Sequence, residues 1–166
     1  MTRDFIDQDG FRANVGIVLC NQAGLVLVAR RAGARGWQFP QGGIRPTESL
    51  TDAMYRELNE EIGLDAEDVT VLGQTQDWLR YTLPRRYQRH DSEPRCVGQK
   101  QMWFLLRFDR DDDKVQLDNT DKPEFDRWRW VEYWQPVKDV IYFKKDVYEQ
   151  ALKELEKHLR ISGARR

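Results

Sequence analysis

Three glutamates in this chain stand at a spacing suited to metal chemistry. Glu57, Glu60 and Glu61 lie at i, i+3 and i+4, so on a helix their carboxylates share one side. Like charges at these spacings destabilise a helix by roughly 0.2–0.5 kcal/mol per pair. In a last helical turn, anions also meet the unfavourable end of the macrodipole. A solvated acidic face is the ordinary outcome, but the helical wheel argues against it. At ~100° per residue, Leu50, Ala53, Met54, Leu58 and Ile62 form the apolar arc. The glutamates overlap one edge of that arc, while Asp52, Arg56 and Asn59 take the far side. Carboxylates at a core boundary need a counter-charge, and a hard divalent cation is the simplest group to supply it. All-oxygen ligands select Mg²⁺ or Mn²⁺ over softer metals.

The surrounding residues are suited to position those carboxylates. Gly42 and Gly43 open a tight loop, and Pro46 bends the chain. Ser49-Leu50-Thr51-Asp52 has the form of a capping box that starts a helix. Gly63 is a natural residue to end it.

The same stretch resembles the Nudix box, G-x5-E-x7-R-E-U-x-E-E-x-G-U with U aliphatic. Gly42, Glu48, Arg56, Glu57, Leu58, Glu60, Glu61, Gly63 and Leu64 fill all nine specified positions at the right spacing. Nudix hydrolases cut a diphosphate linkage in substrates that join a nucleoside diphosphate to another moiety. The resemblance implies that Glu57, Glu60 and Glu61 are metal ligands. It gives Glu48 a less direct part in metal binding and makes Arg56 the residue that orients the glutamates by ion pairing. It also implies an α/β/α sandwich with a mixed central sheet.

Composition bounds the remainder. At 166 residues the chain is one domain by length, and 40% hydrophobic residues are enough for a sizeable core. A formal charge of −1 gives no overall basic balance that would announce nucleic acid. The charge is uneven, however. Arg80, Arg85, Arg86, Arg89 and His90 fall in one window, and Asp109, Asp111, Asp112 and Asp113 in another. Cys20 and Cys96 lie far apart with no metal-ligand spacing, and read as buried, inert thiols of a reducing compartment. The first ten residues lack an apolar leader, and no run approaches membrane length, so a cytoplasmic soluble protein is expected.

Along the chain, residues 1–13 read as an arm carrying Arg12. Val15–Cys20 and Leu25–Ala29 read as strands of a hairpin turning at Asn21–Gly24. Trp37–Pro40 is extended. Val69–Gln76, Gln101–Phe108 and the segment around Trp128 and Trp130 read as strands, with Trp78–Tyr81 a possible continuation of the sheet. A loop carries the arginine cluster to about Pro94. From Lys145 to Leu159, Tyr148, Leu152, Leu155 and Leu159 recur at helical spacing, predicting an amphipathic C-terminal helix. Strands on both sides of a central helix suggest a mixed sheet between helices. The domain core is expected over about 12–160.

Further stretches narrow the resemblance. Asn14-Val15-Gly16, Trp37-Gln38-Phe39-Pro40-Gln41-Gly42-Gly43, Trp78-Leu79-Arg80-Tyr81, Gly98-Gln99-Lys100-Gln101, Pro123-Glu124-Phe125-Asp126 and Phe143 through Tyr148 are similar to the bacterial RNA pyrophosphohydrolase family. That resemblance covers nearly everything from Arg12 to Tyr148. Two positions depart from it. Ala13 stands where relatives often carry proline, which would loosen the arm holding Arg12, and Arg127 replaces a smaller residue. The tail after Leu159 matches nothing in the pattern. Members of this family convert the 5′ triphosphate or diphosphate end of RNA to a monophosphate, which exposes transcripts to decay. The resemblance implies that Arg31, Ile141, Phe143 and Lys144 hold the second base, with Arg12 nearby and Tyr81 touching the phosphates. It places Glu124 opposite the box as general base or further metal ligand. The residue types agree. Arg12, Arg31 and Lys144 are cations outside the apolar patterns, suited to phosphate. Phe143 beside Lys144 suits stacking on an unpaired base. The arginine cluster is either a solvated loop or a nonspecific contact to the RNA backbone. Two rival functions share the box: a dinucleoside polyphosphate hydrolase of the diadenosine tetraphosphate type, and an inactive Nudix scaffold used for binding. Loss of a box glutamate would mark the second, and all are present.

Overall fold

The structure is a computed structural model that describes residues 6–31, 36–88 and 95–162. Its elements are β1 (Phe11–Cys20), β2 (Val26–Arg31), β3 (Trp37–Gln38), β4 (Gln41–Gly43), α1 (Leu50–Ile62), β5 (Val69–Gln74), β6 (Leu79–Thr82), β7 (Gly98–Phe108), β8 (Phe125–Val131), α2 (Gln135–Asp139) and α3 (Lys145–Ser162). The eight strands form one mixed sheet. β1 and β7 run parallel at its centre, from Phe11 opposite Gly98 to Cys20 opposite Arg107, and the remaining pairings are antiparallel.

Period two divides β1 between two cores. Ala13, Val15, Ile17 and Leu19 face α1, where they meet Met54, Leu58 and Ile62. Val18 and Cys20 face α3, where Tyr148, Leu152 and Leu155 meet Trp103 and Phe39. Helices therefore cover both faces, as expected for an α/β/α sandwich. Gly16 permits the close packing on the α3 side. A Cβ there would lie 2.4 Å from the Trp103 ring.

Two expectations are corrected. The Asn21–Gly24 turn forms, with the Asn21 side chain accepting from the Ala23 and Leu25 N–H groups. The hairpin does not continue: β1 and β2 pair only at Cys20 and Val26. The strands diverge because β1 gives that edge to β4, with Asn14 opposite Gly43 and Val15 opposite Gly42. β2 pairs instead with β8 along Val26–Arg31. Nor is the arm a separate arm. Arg12 and Ala13 belong to β1, Ile6 bridges Arg12, and Lys100 pairs with Asp7 at 3.1 Å. Ala13 is buried, and its carbonyl accepts from the Ile44 N–H. Both cysteines are buried free thiols, and burial pushes Cys20 up to about 11.

Candidate active site

Strand β4 and α1 assemble the acidic part of the site. Gly42 and Gly43 do not open the expected tight loop but pair as extended strand with Val15 and Asn14. Ser49 Oγ accepts from the Asp52 N–H to start the helix. Gly63, at φ 75°, ends it by donating to Asn59, while the Leu64 N–H reaches back to Leu58. Between these ends, Glu57 and Glu61 are buried at 7% and 8% exposure, and Glu60 is half-exposed. Gly42 leaves the space that the Glu57 carboxyl fills: a Cβ on Gly42 would stand 1.9 Å from it.

Arg56 departs from the expectation of a far-side residue. Its guanidinium bends back over the cluster and is only 17% exposed. It pairs with Glu48 through Nε and Nη2, with Glu57 at 2.9 Å and with Glu60 at 3.2 Å, and it donates to the Gly43 carbonyl at 2.8 Å. The wheel tracks Cβ directions, whereas a long stem with a planar fork can cross from one face to another. Both Glu48 oxygens are engaged, one also accepting from the Arg45 N–H. Hydrogen bonding from Arg56 holds Glu48 below the usual carboxylate range.

Glu57 and Glu61 meet the opposite environment. Burial pushes Glu57 up to about 7, opposed by Arg56 and reinforced by the charges of Glu60 and Glu124. Burial pushes Glu61 up to about 9, and Glu57, Glu124 and Glu60 add repulsion. Glu61 Oε1 is buried with no hydrogen-bond partner. Among the described residues, no three carboxylate, imidazole or thiol groups converge tightly enough to hold a metal ion as they stand. The donor set nevertheless suits a hard cation. It is all oxygen, it has an unsatisfied buried acceptor at Glu61, and the charges of Glu57, Glu124 and Glu60 oppose ionisation of Glu61.

Glu124 pairs with Arg31 at 3.1 Å, and both are exposed. Arg31 also acts on Lys144, whose amine is brought down to about 8 by burial first and by Arg31 second. Lys144 Nζ donates to Gln41 Oε1 at 3.5 Å and lies 5.8 Å from the Tyr81 ring centroid. The structure thus brings Arg31, Glu124 and Lys144 toward the box glutamates. Phe143 packs against Tyr81 with ring centroids 5.9 Å apart, and Ile141, two residues earlier, is 40% exposed. Tyr81 itself is buried, with its hydroxyl donating to Gln99 at 2.8 Å. Arg12, half-buried on β1, is near enough to favour the Tyr81 phenolate. Of the arginine cluster, Arg80 lies over Phe11 and Arg86 over Tyr87, while Arg89 and His90 lie outside the described residues.

An amide relay escaped the sequence reading as a site component. Gln101 donates to Asn14 at 2.8 Å and to Gln41 at 3.3 Å, and Gln41 donates to Gln99 at 3.2 Å. It ties Tyr81, Lys144 and the strand bearing Gly42 into one network. The available signal was a pair of glutamines at period two, opening an otherwise apolar strand.

The NUDIX domain family matches residues 10–152. The RNA pyrophosphohydrolase of Pseudomonas fluorescens strain SBW25 is 59% identical over 154 residues, spanning 93% of this chain and 97% of that protein. The chain belongs to the RNA pyrophosphohydrolase family of NUDIX-domain proteins. Solved structures add a likeness of fold. The E. coli dihydroneopterin triphosphate pyrophosphohydrolase superposes with a TM-score of 0.67 at 20% identity, over 86% of this chain and 95% of its own. A C. elegans Ap4A hydrolase complex gives 0.64 at 21%, over 89% and 98%. Within the NUDIX family, hydrolysis generally uses divalent metal ions, which agrees with the donor set around Glu57 and Glu61. Among the described residues no helix is long and apolar enough to cross a membrane.

Proposed function

We propose that this chain hydrolyses the 5′ triphosphate or diphosphate end of RNA to a 5′ monophosphate, in the cytoplasm, and so promotes mRNA decay. The observation that carries this reading is the adjacency of two unlike surfaces. Buried, mutually repelling carboxylates on α1 stand near the cations Arg31 and Lys144, and Lys144 shares the Tyr81 ring with Phe143, which suits a phosphate chain followed by an unpaired base. The substrate named for the close relative points the same way.

Each residue has a role in that chemistry. Glu57, Glu60 and Glu61 are the ligands for Mg²⁺ or Mn²⁺, with Glu124 available as a further ligand or as general base. Glu48 supports the set through Arg56. Bound divalent cations supply a more acidic water and neutralise charge on the phosphates. Arg56 fixes the directions of Glu57 and Glu60 and limits their repulsion. Gly42 keeps the floor open beneath Glu57. Arg31 and Lys144 neutralise phosphate oxygens, with Arg12 and Tyr81 supporting them from the strands below. Phe143 and Ile141 receive the second base. Water gives a proton to Glu124 as general base and adds to a phosphorus, and the bridging P–O bond breaks. A triphosphate end loses pyrophosphate, or two phosphates in succession, while a diphosphate end loses one phosphate.

The test is a comparison of kcat/KM on triphosphorylated RNA, diadenosine tetraphosphate and a bare nucleoside triphosphate. RNA is the expected preference. Phe143→Ala should lose roughly 5- to 150-fold on RNA and little on the mononucleotide, because one base stack is worth about 1–3 kcal/mol. Preference for diadenosine tetraphosphate, or equal losses on both substrates, would replace this reading with the dinucleoside polyphosphate one.

A further inference from the structure

Beyond Phe143 the surface carries aromatic rings that the reaction at the 5′ end does not use. Tyr142 is 55% exposed and Tyr87 45%, and with Ile141 they make up three of the five exposed large hydrophobic residues described. They come from separate segments, Tyr87 from the turn after β6 and Tyr142 from the turn before α3. Both converge on Phe143, with ring centroids 5.2 Å and 5.4 Å from it. Arg86 bridges the two, 5.0 Å above the Tyr87 ring and donating to the Tyr142 hydroxyl at 3.5 Å. Exposed rings with one guanidinium between them match what single-stranded nucleic acid asks of a protein: a π-face for a base and a fork for a phosphate.

We infer that Tyr87, Tyr142 and Arg86 form an outer subsite that takes an unpaired RNA nucleotide beyond the second. The inference rests on the proposed RNA substrate. Its support is continuity. Gln41, next to Gly42 under the Glu57 carboxyl, accepts from Lys144; Lys144 lies over Tyr81; Tyr81 packs against Phe143; and Phe143 meets Tyr87 and Tyr142. These contacts trace one path outward from the carboxylates. A strand whose second base rests on Phe143 delivers its next base to the two tyrosines and its next phosphate to Arg86. An apolar protein partner is the poorer match, because each tyrosine presents a hydroxyl and Arg86 sits across both.

The experiment measures kcat/KM of the full-length enzyme, loaded with Mg²⁺, on a 5′-triphosphorylated dinucleotide and tetranucleotide. The wild type should favour the tetranucleotide by roughly fivefold or more. Tyr87→Ala and Tyr142→Ala should each erode that advantage and leave the dinucleotide rate close to wild type. The double variant should erase it. Tyr142→Phe, which keeps the ring, should retain it, and Arg86→Ala should reduce it more at low salt than at high salt. Circular dichroism of each variant guards against misfolding. A wild type that treats the two RNAs alike, alanine variants that keep the full advantage, or equal losses on both substrates would each overturn the outer subsite. Those outcomes leave the proposed activity standing, since the dinucleotide is still cleaved. An enzyme that cleaves neither RNA overturns both.

Discussion

On the α3 face of the sheet, Gly16 lies beneath the ring of Trp103; on the α1 face, Gly42 lies beneath the carboxylate of Glu57. Each glycine makes room for a neighbour, but the neighbours differ. Trp103 is fully buried and touches Phe39 and Tyr148 at 5.6 Å and 5.4 Å, so its position is fixed by close packing. Glu57 is the free end of a flexible side chain, fixed by Arg56 and disfavoured by burial and neighbouring charge. One face is held by close packing even though the Trp103 ring N–H finds no hydrogen-bond partner, whereas the other gathers buried carboxylates that repel one another. Apolar packing can serve stability alone, while buried carboxylates that repel one another are a cost retained for chemistry.

The sharpest break of that contrast is Glu57→Gln or Glu60→Gln. Each is expected to abolish turnover, as excess chelator should in the wild type. The melting temperature of the apo protein should stay level or rise, because a repelling charge is lost. Turnover assays with added Mg²⁺ or Mn²⁺, beside calorimetry, check both halves. Near-normal activity in either variant would remove the carboxylates from the reaction.

The two glycines give the next test. Gly42→Ala pushes the Glu57 carboxyl aside, which a flexible chain end can do without disturbing the fold. Loss of its aim should cost roughly 10- to 100-fold in kcat, the scale seen when a ligand's support is removed. Stability should barely change. Gly16→Ala drives a methyl into an immobile ring, and overpacking of this kind costs about 1–3 kcal/mol. Activity per folded molecule should survive. Denaturation curves and kcat for both variants decide the matter, and a reversed pattern would mean that Gly42 only shapes the strand.

Much of this contrast was legible in the sequence, for physical reasons that also mark its limits. The apolar arc of α1, its cap at Ser49 and its stop at Gly63 are local signals, so the helix and the edge position of its glutamates followed from spacing. The place of Arg56 did not follow from spacing, because Cβ geometry says nothing about where a long guanidinium stem ends; its ion pairs with the glutamates were implied by the resemblance alone. The partners of β1 are set by pairing across the sheet, so a strand–turn–strand pattern suggested a hairpin where β4 and β7 took the edges. Gln41, Gln99 and Gln101 looked like ordinary polar interruptions of strands, and only tertiary structure joins them to Lys144 and Tyr81. Phe143 and Lys144 stood out through resemblance, while Tyr87 and Tyr142 drew no notice, their meeting being a matter of two distant turns.

The smallest expected effect is a pH dependence of the metal-free protein. Glu57 and Glu61 have ordinary carboxyl behaviour when unfolded, titrating near 4.5, but in the fold they are raised to about 7 and about 9. Below pH 4.5 both states hold these protons, and the two residues contribute nothing to the pH dependence. Between 4.5 and 7 the unfolded chain releases protons that the folded one keeps, so stability falls as pH rises, and Glu61 continues the fall toward 9. The lowered carboxylates Asp7, Glu48 and Asp109 finish their opposite contribution below this window. Lys144, brought down to about 8, begins to raise stability only above it. The comparison of pH 5.5 with 7.5 therefore isolates the glutamates. The apo protein should melt lower at pH 7.5 by at least about 2 °C, the shift that ~1 kcal/mol makes in a domain of this size. Saturating Mg²⁺ should raise the melting temperature more at 7.5 than at 5.5, since the cation binds the ionised form. Glu61→Gln should flatten the slope. A variant that keeps the wild-type slope would show that Glu61 ionises as freely in the fold as in the unfolded chain, and the α1 face would then be no more strained than the α3 face.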